Sequence, residues 1–247
     1  EISCSLVGSE MCIRDSRKPG QSKYTTQRKE GDQVEILSGI FEGRTTGTPI
    51  SMVVYNKDQR SKDYSNIKDI YRPGHADFTF DMKYGFRDYR GGGRSSGRET
   101  IGRVAAGAVA AKVLKELGIE IKAYAKAIAG IEVSKDHFDF AEMNNNPFNM
   151  PDKETAKLVQ EKADQMIKEM DSIGGIIECQ ITGMPVGIGE TVFDKLDAEL
   201  SKAIMSIGSV KGFEIGDGFE AANLRGSENN DDFICVDGLS LIHISEP

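Results

Sequence analysis

Apolar and polar residues alternate over residues 33–38 (QVEILS), a period of two that predicts a strand. Residues 49–56 (PISMVVYN) predict a second strand with a β-branched centre, and TTGT at 45–48 reads as the turn before it. The chain is then polar over 57–71, and Arg72-Pro73-Gly74 interrupts any regular element. RGGGRSSGR at 90–98 reads as a loop without regular structure, with a helix directly after it. Ser96 and Glu99 have the spacing of a capping box, and Gly118 stands where a helix would end. The alanines of 104–117 suit a helix lying close on a sheet.

Residues 119–133 alternate like a strand broken at Gly130, and 144–151 (NNNPFNMP) reads as a loop. A period near 3.6 predicts a helix over 152–170, with Val159, Ala163, Met166 and Met170 on one stripe. Residues 175–182 read as a strand. A second amphipathic helix is expected over 193–207, with Phe193, Leu196, Leu200 and Ile204 in line, and 208–225 is again rich in glycine. Helices and strands mix without strict βαβ alternation, which predicts an α+β layered fold.

The chain has 247 residues, of which 38% are hydrophobic and 28% charged, an ordinary globular composition. No apolar run approaches the roughly 18 residues needed to cross a bilayer, so no membrane is expected. Cys4, Cys12, Cys179 and Cys235 form no CxxC pair and lie far from any histidine at metal-ligand spacing. A reducing, cytoplasmic setting without a structural metal or disulfide scaffold is the expectation. Residues 1–16 and 239–247 lack the period of the rest and resemble translated adaptor or vector sequence. They are expected to be non-native, with one partial domain over 17–238.

Charge refines this picture. The net charge is −8, yet residues 17–103 hold 17 lysines and arginines against 11 aspartates and glutamates, leaving 14 against 28 elsewhere. An acidic chain that gathers cations in one third of its length has the means to hold an anion. The 90–103 segment is the best candidate, with Arg90, Arg94, Arg98, Arg103, consecutive glycines, Ser95, Ser96 and a capped helix start. Glycines admit close approach, a helix N-terminus offers N–H groups, and guanidinium forks match phosphate or carboxylate. An exposed Gly/Arg loop is the plainer reading. No Gly-Lys-Ser/Thr follows, so this is not a P-loop. His75 lies in Arg72-Pro73-Gly74-His75-Ala76-Asp77, a stiff turn in which an imidazole could exchange protons near neutrality. A loop histidine is more often inert. His137 reads as exposed, and the basic 17–28 segment suits either anion binding or solvation.

Four stretches carry a resemblance. They are 72–110 (RPGHADFTFDMKYGFRDYRGGGRSSGRETIGRVAAGAVA), 17–28 (RKPGQSKYTTQR), 39–50 (GIFEGRTTGTPI) and 206–231 (SIGSVKGFEIGDGFEAANLRGSENND). Their order and spacing resemble the chorismate synthases. That resemblance implies a β-α-β sandwich assembled as a homotetramer. It implies a lyase of the shikimate pathway of aromatic amino acid biosynthesis. The reaction is an anti-1,4-elimination of phosphate from 5-enolpyruvylshikimate 3-phosphate, with reduced FMN required. By position, Arg94, Ser95, Ser96, Gly208 and Ser209 match residues that contact FMN, and His75 matches a histidine assigned to proton transfer. Arg17 and Lys23 match positions associated with NADP in members that reduce their own flavin with NADPH. The family usually has arginine at the second, and lysine keeps the charge without the fork. A separate flavin reductase would then be the partner.

The family also begins with a Gly-Glu-Ser-His-Gly segment that supplies another histidine, where residues 1–16 stand here. Its Lys-Pro-Thr-Ser-Ser and Arg-His-Asp-Pro motifs would fall beyond residue 238. The alternatives are an inactive relative, or a nucleic-acid module using RGGGRSSGR as an arginine/glycine arm. Overall acidity and the absence of interleaved aromatics oppose the second. A polypeptide lacking those three motifs is expected to show little or no turnover, and near-normal chorismate formation by the 247 residues alone would refute this.

Overall fold

The computed structural model describes residues 20, 22–25, 31, 33–56, 64, 66–91, 93–230, 233–236 and 239–242. The chain divides into two compact units, Glu1–Met184 and Pro185–Pro247.

In the first unit, β1 (Val34–Ser38) pairs antiparallel with β4 (Ser51–Val54), as the alternation predicts. Between them β2 (Ile40–Phe41) and β3 (Arg44–Thr45) form a short hairpin. Its turn is Glu42-Gly43, both left-handed at φ 49 and 76, as a two-residue hairpin turn requires. The turn expected at 45–48 loses its first residue, because Thr45 is a strand residue, and the chain bends at Gly47-Thr48 with Gly47 left-handed at φ 79. A helix that periodicity missed, α1 (Asp77–Tyr84), follows the Arg-Pro-Gly turn. Its apolar residues lie on no single stripe, which left no helical period to read.

The segment read as an irregular loop is regular from Gly93 onward. It folds as two single 3-10 turns, Gly93–Ser95 and Gly97–Glu99, leading into α2 (Thr100–Glu116). Gly118 closes α2 as expected. It is left-handed at φ +79, and the Gly118 and Ile119 N–H groups bond the Lys115 and Leu114 carbonyls at 3.0 and 2.9 Å. The small side chains let α2 lie against the β1–β4 pair, where Ala105 and Val34 are buried among Ile36, Met52, Val54, Val104 and Ala108.

Beyond α2, β5 (Glu120–Ile128), β6 (Ile131–Glu132) and β7 (Gly175–Thr182) form an antiparallel sheet in the order β6-β5-β7. The break at Gly130 is the β5–β6 hairpin turn. Tyr124 lies directly opposite Glu178 and donates its hydroxyl to that carboxylate, which also pairs with Lys126 at 2.9 Å. Phe138 and Phe140 stack edge-on over the Tyr124 ring. Burial, then the Glu178 hydrogen bond, pushes the Tyr124 hydroxyl far up in pKa. A 3-10 helix, Phe140–Asn145, runs into the 144–151 loop, and Asn146 ties that loop down through the Glu142 and Met150 carbonyls, each at 2.8 Å.

Helix α3 (Lys153–Glu169) covers the sheet. Ala156 and Val159 pack with Ala125 and Met150, flanked by Ile128, Ile131, Val133 and Phe148. Burying a valine of this kind stabilises by roughly 1.5–3 kcal/mol. The predicted stripe holds at Val159 and Ala163 and fails at Met170, which is 93% exposed. There the backbone turns left-handed at φ 54 and swings the side chain off the helix face.

In the second unit, β8 (Gly189–Glu190) and β9 (Asp194–Lys195) form a hairpin, followed by α4 (Leu196–Met205) and a 3-10 helix, Gly218–Asn223. The helix expected over 193–207 starts three residues late because 194–195 are committed to strand pairing, and Phe193 is exposed. Strands β10 (Phe233–Val236) and β11 (Leu239–Ile242) pair antiparallel. Antiparallel sheets beside helices make an α+β architecture, as predicted. No helix among the described residues is long and apolar enough to cross a membrane.

Asp152 starts α3 and is fully buried. It accepts the N–H groups of Glu154, Thr155 and Ser134 at 2.9, 3.2 and 3.2 Å, and the Thr155 hydroxyl at 2.6 Å. Burial pushes this carboxyl up in pKa, but those four donors outweigh burial and hold it below the usual range. Asp152→Ala removes a cap and strands buried donors, so it is expected to cost about 2–4 kcal/mol. Urea denaturation of both proteins measures this, with Asp152→Asn losing less.

Candidate functional site

The turn that carries His75 is closed by a charge pair. Asp77, the first residue of α1, accepts the Arg72 backbone N–H at 3.1 Å and the Arg72 Nε and Nη2 at 2.8 and 2.9 Å. Both ends of the turn are thus fastened by one carboxylate. Between them Pro73 fixes its own φ, Gly74 is left-handed at φ +71, and the His75 N–H reaches the Arg72 carbonyl at 3.3 Å. His75 Nδ1 lies 2.9 Å from the Pro73 carbonyl, and the ring is exposed.

Arg87 backs this turn. Its side chain is 7% exposed, with Nη1 3.5 Å from Asp77 Oδ1 and Nε 3.4 Å from Asp81. Nη2 donates to the Ile67, Lys68 and Ile70 carbonyls at 3.3, 2.7 and 2.9 Å. Nη1 has no hydrogen-bond partner, although Asp77 compensates its charge. The Arg72 hydrogen bonds hold the Asp77 carboxyl far below the usual carboxylate range against the opposing effect of burial, with Arg87 helping.

The chain then passes Asp88, which accepts Arg90 N and Nε at 3.0 and 3.2 Å, and enters the two 3-10 turns. Ser96 caps the second turn by accepting the Arg98 N–H at 3.3 Å. The capping box does not form. The Ser96 N–H is spent on the Gly93 carbonyl at 3.1 Å, and the Glu99 carboxylate pairs with Arg103 at 3.2 Å. The Glu99 N–H bonds the Ser96 carbonyl at 3.0 Å, and the Thr100 N–H bonds the Gly97 and Arg98 carbonyls. The N–H groups of Ser96, Arg98, Glu99 and Thr100 are therefore used internally. The segment also carries hydroxyl and guanidinium side chains, the group types that meet an anion, and of its arginines Arg90 pairs with Asp88 and Arg103 with Glu99.

Arg94 belongs by its backbone to the Gly93–Ser95 turn, next to Ser95 and Ser96. His75 stands at the other end of α1 in the same unit. Gly208 and Ser209 follow α4 in the second unit, with Ser209 left-handed at φ 73. Lys23 is fastened to α3, with Nζ 2.7 and 2.9 Å from the two Asp164 oxygens, while the Tyr24 hydroxyl bonds the same carboxylate at 2.9 Å. Its hydrogen bond to Asp164 raises the Lys23 pKa. Arg17 lies outside the described residues. Arg72 and Asp77 were visible beside His75 in the sequence, whereas Arg87 was not singled out. Its signal would have been acids at 77 and 81, one helical turn apart, followed by an arginine in an aromatic stretch.

Residues 4–243 match the family model described as chorismate synthase. The chain is 69% identical over 224 residues to a chorismate synthase of Lachnospira eligens, covering 91% of this chain and 61% of the relative. It is 61% identical over 238 residues to one from Agathobacter rectalis, covering 94% and 65%. It therefore spans under two thirds of the length of these relatives. A crystal structure of chorismate synthase superposes with TM-score 0.72 at 31% identity, over 86% of this chain and 64% of the other.

Because the Asp77 carboxyl is depressed in the folded state, its stabilisation is complete above the ordinary aspartate pKa of about 3.9 and is lost as pH falls below it. Asp77→Asn leaves guanidinium charge without its counter-ion and is expected to cost roughly 3–5 kcal/mol near neutrality. It should also flatten the acid limb of the stability curve. Chemical denaturation from pH 7 to 3 on both proteins checks the two effects together.

Proposed function

The chain belongs to the chorismate synthase family, and from that premise we propose that the protein catalyses the anti-1,4-elimination of phosphate from 5-enolpyruvylshikimate 3-phosphate, giving chorismate. The observation that carries this reading is the 69% identity to the Lachnospira eligens enzyme over 224 residues. Residues 17–238 hold every motif on which the reading rests. With it come the cytoplasm as the place of action, a homotetramer as the working assembly, and reduced FMN as cofactor. The reductant is NADPH used directly or a separate flavin reductase. Lys23 bears on that choice, because Asp164 already neutralises it. A dinucleotide phosphate would have to compete with a carboxylate for that ammonium group.

The donor set fits a phosphorylated flavin and a phosphorylated dicarboxylate. Hydroxyls at Ser95 and Ser96 and the guanidinium of Arg94 are the group types that hold phosphate. Gly208 and Ser209 enter this reading through the family resemblance alone, as a second pair of FMN-contacting positions. When bound, reduced FMN supplies transient electron donation to the substrate, with no net redox change. The residues of this chain contribute orientation, charge stabilisation and one proton carrier. Cationic side chains of the 90–103 segment orient the anionic substrate and stabilise charge on the departing phosphate. His75, exposed on its clamped turn, carries a proton.

A chimera tests this, with residues 17–238 of this chain replacing the matched part of the Lachnospira eligens protein. Anaerobic incubation with reduced FMN and 5-enolpyruvylshikimate 3-phosphate is expected to yield chorismate. His75→Ala in the chimera should lower turnover by about 10²–10⁴-fold. A folded chimera that makes no chorismate, beside an active parent, would overturn the reading.

A further inference from the structure

The turn on which His75 sits specifies which of its nitrogens carries the proton traffic. A carbonyl oxygen has only lone pairs, so the 2.9 Å contact between His75 Nδ1 and the Pro73 carbonyl is a hydrogen bond only if Nδ1 donates. Nδ1 then keeps its proton in the neutral ring, and the basic lone pair is on Nε2. A histidine side chain free in water prefers the opposite tautomer, with the proton on Nε2. The contact therefore reverses the intrinsic preference, and it lasts only while residues 73–75 hold their shape.

That shape is imposed from outside the three residues. Asp77 receives three donors from Arg72, one from the backbone and two from the fork, and so fixes the chain on either side of Pro73-Gly74-His75. Arg87 supports Asp77 from the buried side and ties α1 to the carbonyls of 67–70. Neither acid nor guanidinium bonds the imidazole itself.

We infer that Asp77 and Arg72 are positioning residues that hold His75 as the Nδ1–H tautomer, so that protons enter and leave the ring at Nε2. The inference rests on the reading of His75 as a proton carrier, but its test needs neither substrate nor flavin. In the 247-residue chain labelled with ¹⁵N, long-range proton–nitrogen correlation spectra at a pH where His75 is neutral distinguish the pyrrole-type nitrogen from the pyridine-type one. His75 should show Nδ1 as pyrrole-type and Nε2 as pyridine-type, in the reverse of the free-histidine ratio. Asp77→Asn should return the ratio toward that of the free side chain. Arg72→Lys, which keeps the charge and loses the fork, should do so too. Asp77→Glu, which retains an acceptor for the fork, should restore part of the bias.

A native spectrum dominated by the Nε2–H form would overturn the inference. So would folded Asp77→Asn and Arg72→Lys proteins that keep the native ratio. Collapse of both variants, seen as loss of the helical circular dichroism signal, would equally count against a local device, because the pair would then support the whole unit. If the tautomer behaves as expected while His75→Ala leaves chorismate formation intact, the lyase role of His75 fails and the clamp stands.

Discussion

A carboxylate removed from water must find donors enough to replace its hydration, and two aspartates organise this chain by meeting that requirement. Asp152 gathers three backbone N–H groups and a hydroxyl, and in doing so joins the residue-134 turn to the start of α3. Asp77 gathers Arg72 and faces Arg87, and in doing so joins the 67–72 stretch to α1. The first aspartate sets where the covering helix begins on the β5–β7 sheet. The second sets the shape of the turn that displays an imidazole. Packing follows from these anchors: Val159 and Ala156 reach Ala125 and Met150 because α3 starts where Asp152 puts it.

Elements with a strong period or a strong stop were legible from the residues. Strand β7 coincides with the strand read at 175–182, and Gly118 ends α2 because only a residue tolerant of φ +79 could make that turn. Helix α3 was legible for the same reason, since its apolar stripe matches what the sheet must cover. The misses have a common cause: a local signal was outbid by a contact that only the folded chain supplies. Helix α1 has no stripe because an ionic network holds it, not an apolar face. Phe193 looked helical until β9 took the residues after it. Met170 kept the period but lost the face when the backbone turned left-handed.

The candidate site was legible as a set of residues and not as an arrangement. The sequence singles out His75 by its rigid turn and the 90–103 segment by its glycines, hydroxyls and arginines. It does not reveal that one carboxylate closes the turn from both ends, because Arg72 and Asp77 read as two separate charges. Nor does it reveal Arg87, whose role depends on carbonyls contributed by residues 67–70. The family resemblance implied roles that neither period nor charge could, and Lys23 shows where geometry adds to it: the lysine at a position that the resemblance associates with NADP is held by an aspartate of α3.

The two 3-10 turns before α2 have a consequence for how this loop can change over generations. A cradle made of backbone N–H groups tolerates many substitutions, since every residue type but proline brings the same donor. Here the N–H groups of Ser96, Arg98, Glu99 and Thr100 are already engaged within the turns. At those four residues an anion would have to be recognised through side chains and not through the backbone. Such recognition is spelled in individual letters of the gene and can be retuned or erased by single codon changes while the turn beneath keeps its shape.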